Sequence, residues 1–176
     1  ATRMGQLIDD LLAFSRVGRS AMSVRRVDVA ELVRDVQSEV AENGSKIQWR
    51  IGELPVVAGD RALLRLVFVN LLSNAVKYSS QSERPEIEIG TRVDRDEQRP
   101  VIFVRDNGVG FDMAYAHKLF GVFSRLHSAD DFEGTGIGLA NVRRIVSRHG
   151  GRVWAEAAVN RGATFYVSLP EEVKAA

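Results

Sequence analysis

The feature that most constrains the fold is an apolar run that ends in an acidic residue and two closely spaced glycines. Val101 to Val104 is typical of a buried strand, and Asp106 follows it just ahead of Gly108 and Gly110. Glycine lets the backbone turn sharply and lets a ligand approach the main chain, because it has no Cβ. Asp106 could accept a hydrogen bond from a ligand, or it could bond its own backbone in a tight turn. This stretch alone leaves both interpretations open.

Length and composition are those of one globular domain. The 176 residues are 45% hydrophobic and 27% charged, and the net charge is +1. This charge argues against a nucleic-acid partner. The absence of cysteine excludes disulfides and fits a reducing cytosol, and no apolar run approaches the roughly 18 residues that span a bilayer. Because a helical pattern is already under way at Ala1, we expect that an upstream part of the protein is missing.

Four helices are predicted from periodicity and capping residues. The first has an apolar stripe that suits a partner helix or a coiled-coil seam. The alternative is that this stripe packs on its own domain. The stripe consists of Met4, Leu7, Leu11 and Phe14, with Ile8 and Leu12 beside it. Asp28 and Asp60 are predicted N-caps of the next two. The predicted spans are residues 4–18, 29–42, 61–78 and 139–149, and Asn43-Gly44 should end the second.

The strands complete the prediction of the fold class. Alternating and apolar runs predict strands at residues 23–27, 46–51, 56–58, 86–93, 101–105, 152–157 and 163–169. Runs of helices and strands in this order predict an α+β fold, in which helices cover one face of a mixed sheet and a long helix precedes the domain.

The predicted helix at 61–78 is apolar on most of its circumference, so we expect it to be buried, but it also carries polar residues on one side. Asn70, Asn74 and Lys77 lie four and three residues apart, which places them on the same side. Buried amides need hydrogen-bond partners, so these side chains could bond a neighbouring loop. They could equally supply hard oxygen ligands to a Mg²⁺ that holds phosphates, with Lys77 as a point charge.

Residues 111–133 lack clean periodicity, and a loop of this length in a compact domain is usually a lid or a binding loop. Phe120 and Phe123 are either its hydrophobic anchor or the cap of a short helix. The loop ends at residues 134–139, Gly-Thr-Gly-Ile-Gly-Leu, where glycines at a helix start leave N–H groups that suit a phosphate. The G-x-G-x-G spacing and the absence of a G-x-x-x-x-G-K-[ST] sequence disfavour a dinucleotide fold and a Walker NTPase.

Together, these blocks resemble the catalytic ATP-binding domain of bacterial sensor histidine kinases, within the wider family of gyrase, the Hsp90 chaperones and MutL. The resemblance extends from the first helix to Pro170 and implies a two-layer α/β sandwich, the Bergerat fold. Residues 1–20 resemble the second helix of the dimerisation and phosphoacceptor domain, and residues 21–176 resemble the catalytic domain. The resemblance implies that Mg·ATP is bound and that its γ-phosphate passes to a histidine, then to a response-regulator aspartate.

The resemblance assigns residues to both ends of the nucleotide. In the family's N box, asparagines hold Mg²⁺, a lysine reaches phosphate and an aromatic residue lies by the adenine or ribose; the matching residues are Asn70, Asn74, Lys77 and Tyr78, of which Asn74 and Lys77 are the expected catalytic pair. In the first glycine box, the aspartate accepts a hydrogen bond from the adenine amino group; the matching residues are Asp106, Gly108 and Gly110. Thr164 matches a threonine that supports the adenine through water.

Two further blocks of the family belong to the lid. The phenylalanine box lies at the base of the ATP lid and matches Phe120 and Phe123. The second glycine box wraps the triphosphate with its backbone; the matching residues are Gly134, Thr135, Gly136, Gly138 and Leu139.

Two departures from related families refine the prediction. Relatives that hydrolyse ATP have a glutamate at the position of Asn70, so without a base to activate water we expect slow hydrolysis and transfer to another nucleophile. The acceptor histidine of the family is followed by an acidic residue, whereas His117, His127 and His149 are followed by lysine, serine and glycine. We therefore expect an acceptor upstream of Ala1 and no self-phosphorylation by this chain alone.

The implied partners are a phosphoacceptor helix of the same protein or of a dimer mate, and a response-regulator receiver domain. The resemblance also implies a homodimer, and a cytoplasmic domain of a protein that is either soluble or membrane-anchored. Two alternatives remain. One is a serine kinase of the anti-sigma type, and the other is a nucleotide-binding or dimerisation module without catalytic activity.

Overall fold

Helices and strands follow one another in the predicted order. The computed structural model describes residues 2–41, 46–96, 98–127 and 134–171. The helices are α1 (Thr2–Arg19), α2 (Val29–Val40), α3 (Arg61–Ser79) and α4 (Gly138–Arg148), with a short 3₁₀ helix at Met113–Lys118. The strands are β1 (Arg25–Asp28), β2 (Gln48–Ile51), β3 (Val56–Gly59), β4 (Glu86–Val93), β5 (Pro100–Asp106), β6 (Arg152–Ala157) and β7 (Ala163–Ser168).

The main sheet is mixed, as predicted. Its five strands lie in the order β2-β4-β5-β7-β6, with β2 parallel to β4 and every other neighbouring pair antiparallel. The prediction of a single mixed sheet was incomplete, because β1 and β3 pair with each other in a separate two-stranded sheet. Strands of only four residues have too little alternation to show which neighbour they pair with.

The helices cover one face of the main sheet, and the core lies between the two layers. Alternate residues of β4, such as Ile87 and Ile89, are fully buried, and they share one apolar cluster with Leu64 and Phe68 of α3. The prediction that α3 is buried is confirmed for the side of the helix that faces the core. The opposite side is half-buried or exposed, and Leu66 there is 38% exposed.

Both predicted N-caps are confirmed. The Asp28 carboxylate accepts a hydrogen bond from the N–H of Glu31, and the Asp60 carboxylate accepts one from the N–H of Leu63. Each bond satisfies one of the N–H groups that a helix start leaves unpaired. The predicted stop of α2 at Asn43-Gly44 lies outside the described residues.

A buried histidine joins the beginning of α3 to the end of α4. The N–H of Asp60 donates to Nε2 of His149 at 2.9 Å, and Nδ1 of His149 lies 2.7 Å from the carbonyl oxygen of Ile145. Because Nε2 accepts and the carbonyl can only accept, the proton is on Nδ1 and the ring is neutral. The two helices are therefore connected at one end by a side chain that is 7% exposed.

Helix α1 packs its apolar side on its own domain through its C-terminal part, and Asp10 in its first half adds a hydrogen bond from Thr135. The Arg148 guanidinium donates to the carbonyl oxygens of Val17 and Ser20, and the Arg144 guanidinium lies 4.5 Å from the ring centroid of Phe14. The N-terminal part of the stripe is exposed; its exposed members are Met4, Ile8, Leu11 and Leu12. Packing on its own domain is thus observed for the C-terminal part of the helix, and a partner helix over the exposed part stays a prediction. None of the described helices combines the length and apolar character needed to cross a bilayer.

Candidate nucleotide site

One pocket brings together most of the predicted site residues. It lies between the C-terminal half of α3, the turn after β5, the lid and the start of α4. The predicted residues that line it are Asn74, Lys77, Tyr78, Asp106, Gly110, Gly134, Gly136, Gly138 and Leu139. These positions come from segments that are far apart in sequence.

Asp106 stands at one end of the pocket, where β5 ends. Its side chain accepts a hydrogen bond from the N–H of Gly108 at 2.9 Å and a second backbone hydrogen bond from Ala163. Burial raises the pKa of Asp106 to about 6, although these two N–H groups act in the opposite direction. The turn interpretation is confirmed, since Asp106 bonds its own turn; because Asp106 also lines the pocket, its hydrogen bond to a ligand stays a prediction.

The two glycines after Asp106 are needed for backbone packing. A Cβ on Gly108 would overlap the carbonyl oxygen of Tyr78, and a Cβ on Gly110, which has a φ of +60°, would overlap the carbonyl oxygen of Ala158. The turn is also tied to α3, because the N–H of Val109 donates to the Tyr78 carbonyl at 3.1 Å. At Gly108, the segment that approaches the main chain closely is therefore the end of α3. Gly108 itself does not line the pocket.

The opposite end of the pocket carries the amide and lysine side chains of α3. Asn74 and Lys77 line this end, and the Lys77 ammonium lies 4.7 Å from the ring centroid of Tyr78. Asn70 lies one turn earlier, outside the pocket lining. Its Nδ2 donates to the Leu66 carbonyl at 3.0 Å, and its Oδ1 faces the start of α4, 2.8 Å from where a Cβ on Gly138 would be.

The start of α4 completes this end of the pocket. Ile137 is the N-cap residue and makes no side-chain capping bond, so the first N–H groups of α4 are not satisfied by a cap. Gly136, just before, has a φ of +80°, which side chains rarely adopt. An uncapped helix start with glycines at its edge is a typical anion-binding arrangement.

The two phenylalanines of the lid have different surroundings, and neither lines the pocket. Phe120 is half-buried and packs edge-on against Phe165, with ring centroids 6.4 Å apart. Phe123 is 52% exposed and has a φ of +60°. The sequence left two roles open for this pair, a hydrophobic anchor of the lid and the cap of a short helix. The anchor role fits the surroundings of Phe120 but not those of Phe123.

Two other predicted residues face away from the pocket. The Thr135 hydroxyl donates to Asp10 of α1 at 2.5 Å. Thr164 accepts a hydrogen bond from Nε of Arg105 at 3.3 Å on the open face of the sheet. Because side chains alternate along a strand, its neighbour Ala163 lines the pocket instead. The water-mediated role of Thr164 with adenine therefore has no support from its position.

Several pocket residues were missed by sequence reasoning. Phe111, Leu119 and Phe165 form apolar wall, while Arg125 and His127 reach the pocket from the lid. Arg125 donates to the Gly134 carbonyl at 2.8 Å, which joins the second half of the lid to the residue that follows it. Strand alternation could have identified Phe165, but residues 111–133 have no periodic signal from which the other four could be inferred.

The fold and the pocket together define the class, which is an ATPase-type nucleotide-binding domain. Within that class, the sequence model of the histidine kinase-, DNA gyrase B-, and HSP90-like ATPase family (HATPase_c) matches residues 59–173. The chain belongs to this family. The fold class and the family predicted from the sequence blocks are confirmed.

Relatives of known name support the same placement. The methanogenesis regulatory histidine kinase FilI of Methanothrix harundinacea is 39% identical over 172 residues, which are 96% of this chain and 19% of that protein. Full-length ShkA, solved in complex with AMPPNP, has a TM-score of 0.78 at 27% identity, over 99% of this chain and 37% of that chain.

A third comparison concerns the fold alone. The histidine kinase ThkA, solved in complex with the response regulator TrrA, has a TM-score of 0.71 at 22% identity, over 97% of this chain and 48% of that chain. The chain spans about a fifth of the length of curated relatives such as FilI.

Proposed function

We propose that this chain is the catalytic domain of a protein-histidine kinase, which binds Mg·ATP and presents the γ-phosphate to a histidine outside the chain. The observation that carries the proposal is the polarity of the pocket. A buried carboxylate, Asp106, stands at one end, while Lys77 and the uncapped start of α4 stand at the other. This separation of charge fits a molecule with an amino-bearing base at one end and phosphates at the other.

At the base end, Asp106 accepts a hydrogen bond from the adenine amino group. The N–H groups of Gly108 and Ala163 hold the carboxylate in place before the nucleotide arrives, so little ordering is needed on binding. Apolar wall residues such as Phe165 and Leu119 exclude water beside the flat ring. This arrangement selects an adenine over a base that presents a carbonyl at the same position, because a carbonyl would face the carboxylate.

At the phosphate end, Lys77 and the free N–H groups of α4 neutralise phosphate charge. The side chains present also fit Mg²⁺. The described residues hold no cluster of three or more carboxylate, histidine or cysteine side chains that could bind a metal, so amide oxygens and phosphates would be the ligands. Asn74 lines the pocket, and the Nδ2 bond of Asn70 leaves its Oδ1 facing Gly138. Bound Mg²⁺ would supply charge neutralisation of the phosphates.

The proposed nucleophile comes from another segment. In the chain itself, His149 is buried and bonded on both ring nitrogens, and His127 is held in the pocket wall. At the position of Asn70 there is no carboxylate that could deprotonate water, so hydrolysis is slow. The work of the domain is then to position the γ-phosphate and neutralise charge, as phosphoryl transfer generally requires.

The partners follow from the same proposal. The exposed apolar residues of α1, including Ile8 and Leu11, would be covered by the helix that carries the acceptor histidine, in a homodimer of the full protein. A response-regulator receiver domain would take the phosphoryl group from that histidine in the cytoplasm, whether the full protein is soluble or membrane-anchored. Neither the pocket nor the net charge of +1 favours a nucleic-acid partner.

Titration with a non-hydrolysable ATP analogue, with and without Mg²⁺, tests nucleotide binding. We expect saturable binding that Mg²⁺ strengthens, and a loss of about 1.5–3 kcal/mol of binding free energy in Asp106→Asn, because a charge-assisted hydrogen bond is removed. His117→Ala is the matched control, since His117 is exposed and lies outside the pocket. Absence of binding, or binding unchanged in Asp106→Asn, would contradict the proposal.

Phosphoryl transfer is tested by adding labelled ATP and a separately folded segment that carries the phosphoacceptor histidine. We expect acid-labile label on that segment and none on this chain alone. Acid-stable label would indicate phosphoserine and favour the serine-kinase alternative. Binding of ATP without any transfer to a folded acceptor would favour the alternative of a nucleotide-binding module without catalytic activity.

A further inference from the structure

His127 closes a ring of contacts at the base end of the pocket. It lies in the lid, 17 residues after Gly110, and its side chain lines the pocket beside Tyr78. Nε2 of His127 lies 3.0 Å from the carbonyl oxygen of Gly110. Because a carbonyl oxygen can only accept, Nε2 carries the proton and donates. The lid is thereby attached to the turn that follows Asp106.

The second contact of His127 is with the aromatic residue at the end of α3. The rings of His127 and Tyr78 have centroids 5.2 Å apart and an interplanar angle of 45°. On its other side, Tyr78 is joined through its backbone to the same turn, since its carbonyl oxygen accepts from the N–H of Val109. The contacts therefore form a closed circuit, from Tyr78 to Val109 and Gly110, to His127, and back to Tyr78.

The circuit joins three segments: the end of α3, the turn after Asp106 and the lid. The first two are held against each other by the backbone. A Cβ on Gly108 would overlap the Tyr78 carbonyl, and the N–H of Asn160 donates to the Val109 carbonyl at 2.7 Å. The turn is thus fixed by α3 on one side and by the β6–β7 turn on the other. The lid is the third segment, and His127 attaches it to both of the others.

We propose that His127 is a positioning residue for the base of the nucleotide. By donating to Gly110 and packing on Tyr78, it holds the first part of the lid as a wall of the base end, so that Asp106 and this wall enclose the adenine together. The inference rests on the proposed function, because it concerns the same nucleotide. It assigns His127 to recognition of the base and gives it no contact with the phosphates.

The test compares nucleotide binding by His127→Ala, His127→Gln and wild-type chain. Glutamine can place an N–H donor where Nε2 of histidine was, so it should keep the bond to Gly110. We expect His127→Ala to weaken ADP and the ATP analogue by the same factor, about five- to tenfold for one lost hydrogen bond and ring contact. We expect His127→Gln to recover most of that loss, and His117→Ala to change nothing.

A change in base selectivity is the readout that a merely structural role would not produce. The preference for an ATP analogue over the matching GTP analogue should fall in His127→Ala and return in His127→Gln, while the ATP-to-ADP ratio stays constant. The thermal unfolding midpoint without nucleotide identifies any loss of fold, and His127→Gln keeps the test valid if the alanine variant unfolds. Equal affinity and selectivity in wild type and His127→Ala, or a glutamine variant as weak as alanine, would overturn the inference. If wild type itself binds no nucleotide, the proposed function fails instead.

Discussion

The two ends of the pocket are constructed differently. The base end is part of the folded core, since Asp106 is 5% exposed, the next glycine packs against the Tyr78 carbonyl, and both neighbouring segments are bonded to the turn. The phosphate end is assembled from side chains of α3 and from glycines at the start of α4, and one of its residues, Thr135, bonds to Asp10 of α1. Disrupting the packing of the turn at the base end should therefore affect folding and binding together, whereas removing the Lys77 charge at the phosphate end should affect binding alone.

The largest effect is expected for Gly108→Ala. Its Cβ would overlap a backbone carbonyl that is fixed in α3, so we expect a loss of about 3 kcal/mol in the free energy of unfolding and loss of nucleotide binding. Urea unfolding and titration of the same samples measure both. Gly5→Ala is the matched control, since nothing lies within 4 Å of a Cβ there, and it should be neutral or stabilising by up to about 1 kcal/mol. A Gly108→Ala protein as stable as wild type would break the comparison.

Asp106→Asn should separate stability from binding. The pKa of Asp106 is raised by burial from 3.8 to about 6, so the carboxyl binds its proton more tightly in the folded state. Its stabilising effect is complete below pH 3.8 and is lost as the pH rises through about 6, so the charged form costs about 3 kcal/mol at neutral pH. We therefore expect the variant to be more stable at pH 7 and to bind nucleotide less well.

The same carboxyl predicts a pH dependence that checks this interpretation. Wild type should become more stable as the pH falls from 7 towards 4, while its affinity for adenosine falls below about pH 6 because the acceptor becomes protonated. Adenosine is the ligand to use, because phosphate groups titrate in the same range. Both trends should vanish in Asp106→Asn, and persistence of either trend in that variant would assign it to another group.

A change at the phosphate end, Lys77→Ala, should have a narrower effect. Removal of a charge that faces phosphate should weaken the ATP analogue by about tenfold and ADP by less, with adenosine binding and the urea midpoint unchanged. The three ligands can be titrated side by side against wild type. Equal weakening of all three would mean that Lys77 acts on the base end through Tyr78, whose ring lies under its ammonium.

The smallest effect is expected for the contact between Thr135 and α1. Thr135→Val keeps the shape and removes the hydroxyl that donates to Asp10, so we expect a loss of about 1 kcal/mol in unfolding free energy and less than about threefold in affinity. A double-mutant cycle with Asp10→Ala should give a coupling energy of about the same size. A coupling near zero would show that the contact contributes nothing to the position of the glycine-rich loop.

The contrast between the two ends also explains what the sequence could predict. Element order, both N-caps and the Asp106 turn were predictable, because each depends on local periodicity or on a residue type with one strong role. The glycines of this turn were predicted because a ligand would approach them closely. In the structure, the atom closest to Gly108 is a backbone carbonyl oxygen of the chain itself. The separate pairing of β1 with β3 was missed because their alternation is too short.

Other parts could not be inferred from local pattern. The contact between Asp10 and Thr135 joins residues 125 positions apart, and nothing in either segment indicates the other. His127 and Arg125 lie in an aperiodic lid. Thr164 was assigned by its place in a motif, whereas the pairing of β7 with β5 turns Ala163 to the pocket.

The histidine that joins α3 to α4 has a geometric consequence for the site. His149 connects Asp60, the N-cap of α3, to the last turn of α4, while the predicted site residues of both helices lie towards the opposite ends. At about 1.5 Å per residue, Lys77 is about 25 Å from this joint, so a tilt of one degree there displaces Lys77 by about 0.4 Å. The position of Lys77 relative to the start of α4 is therefore sensitive to small changes of angle at the imidazole of His149.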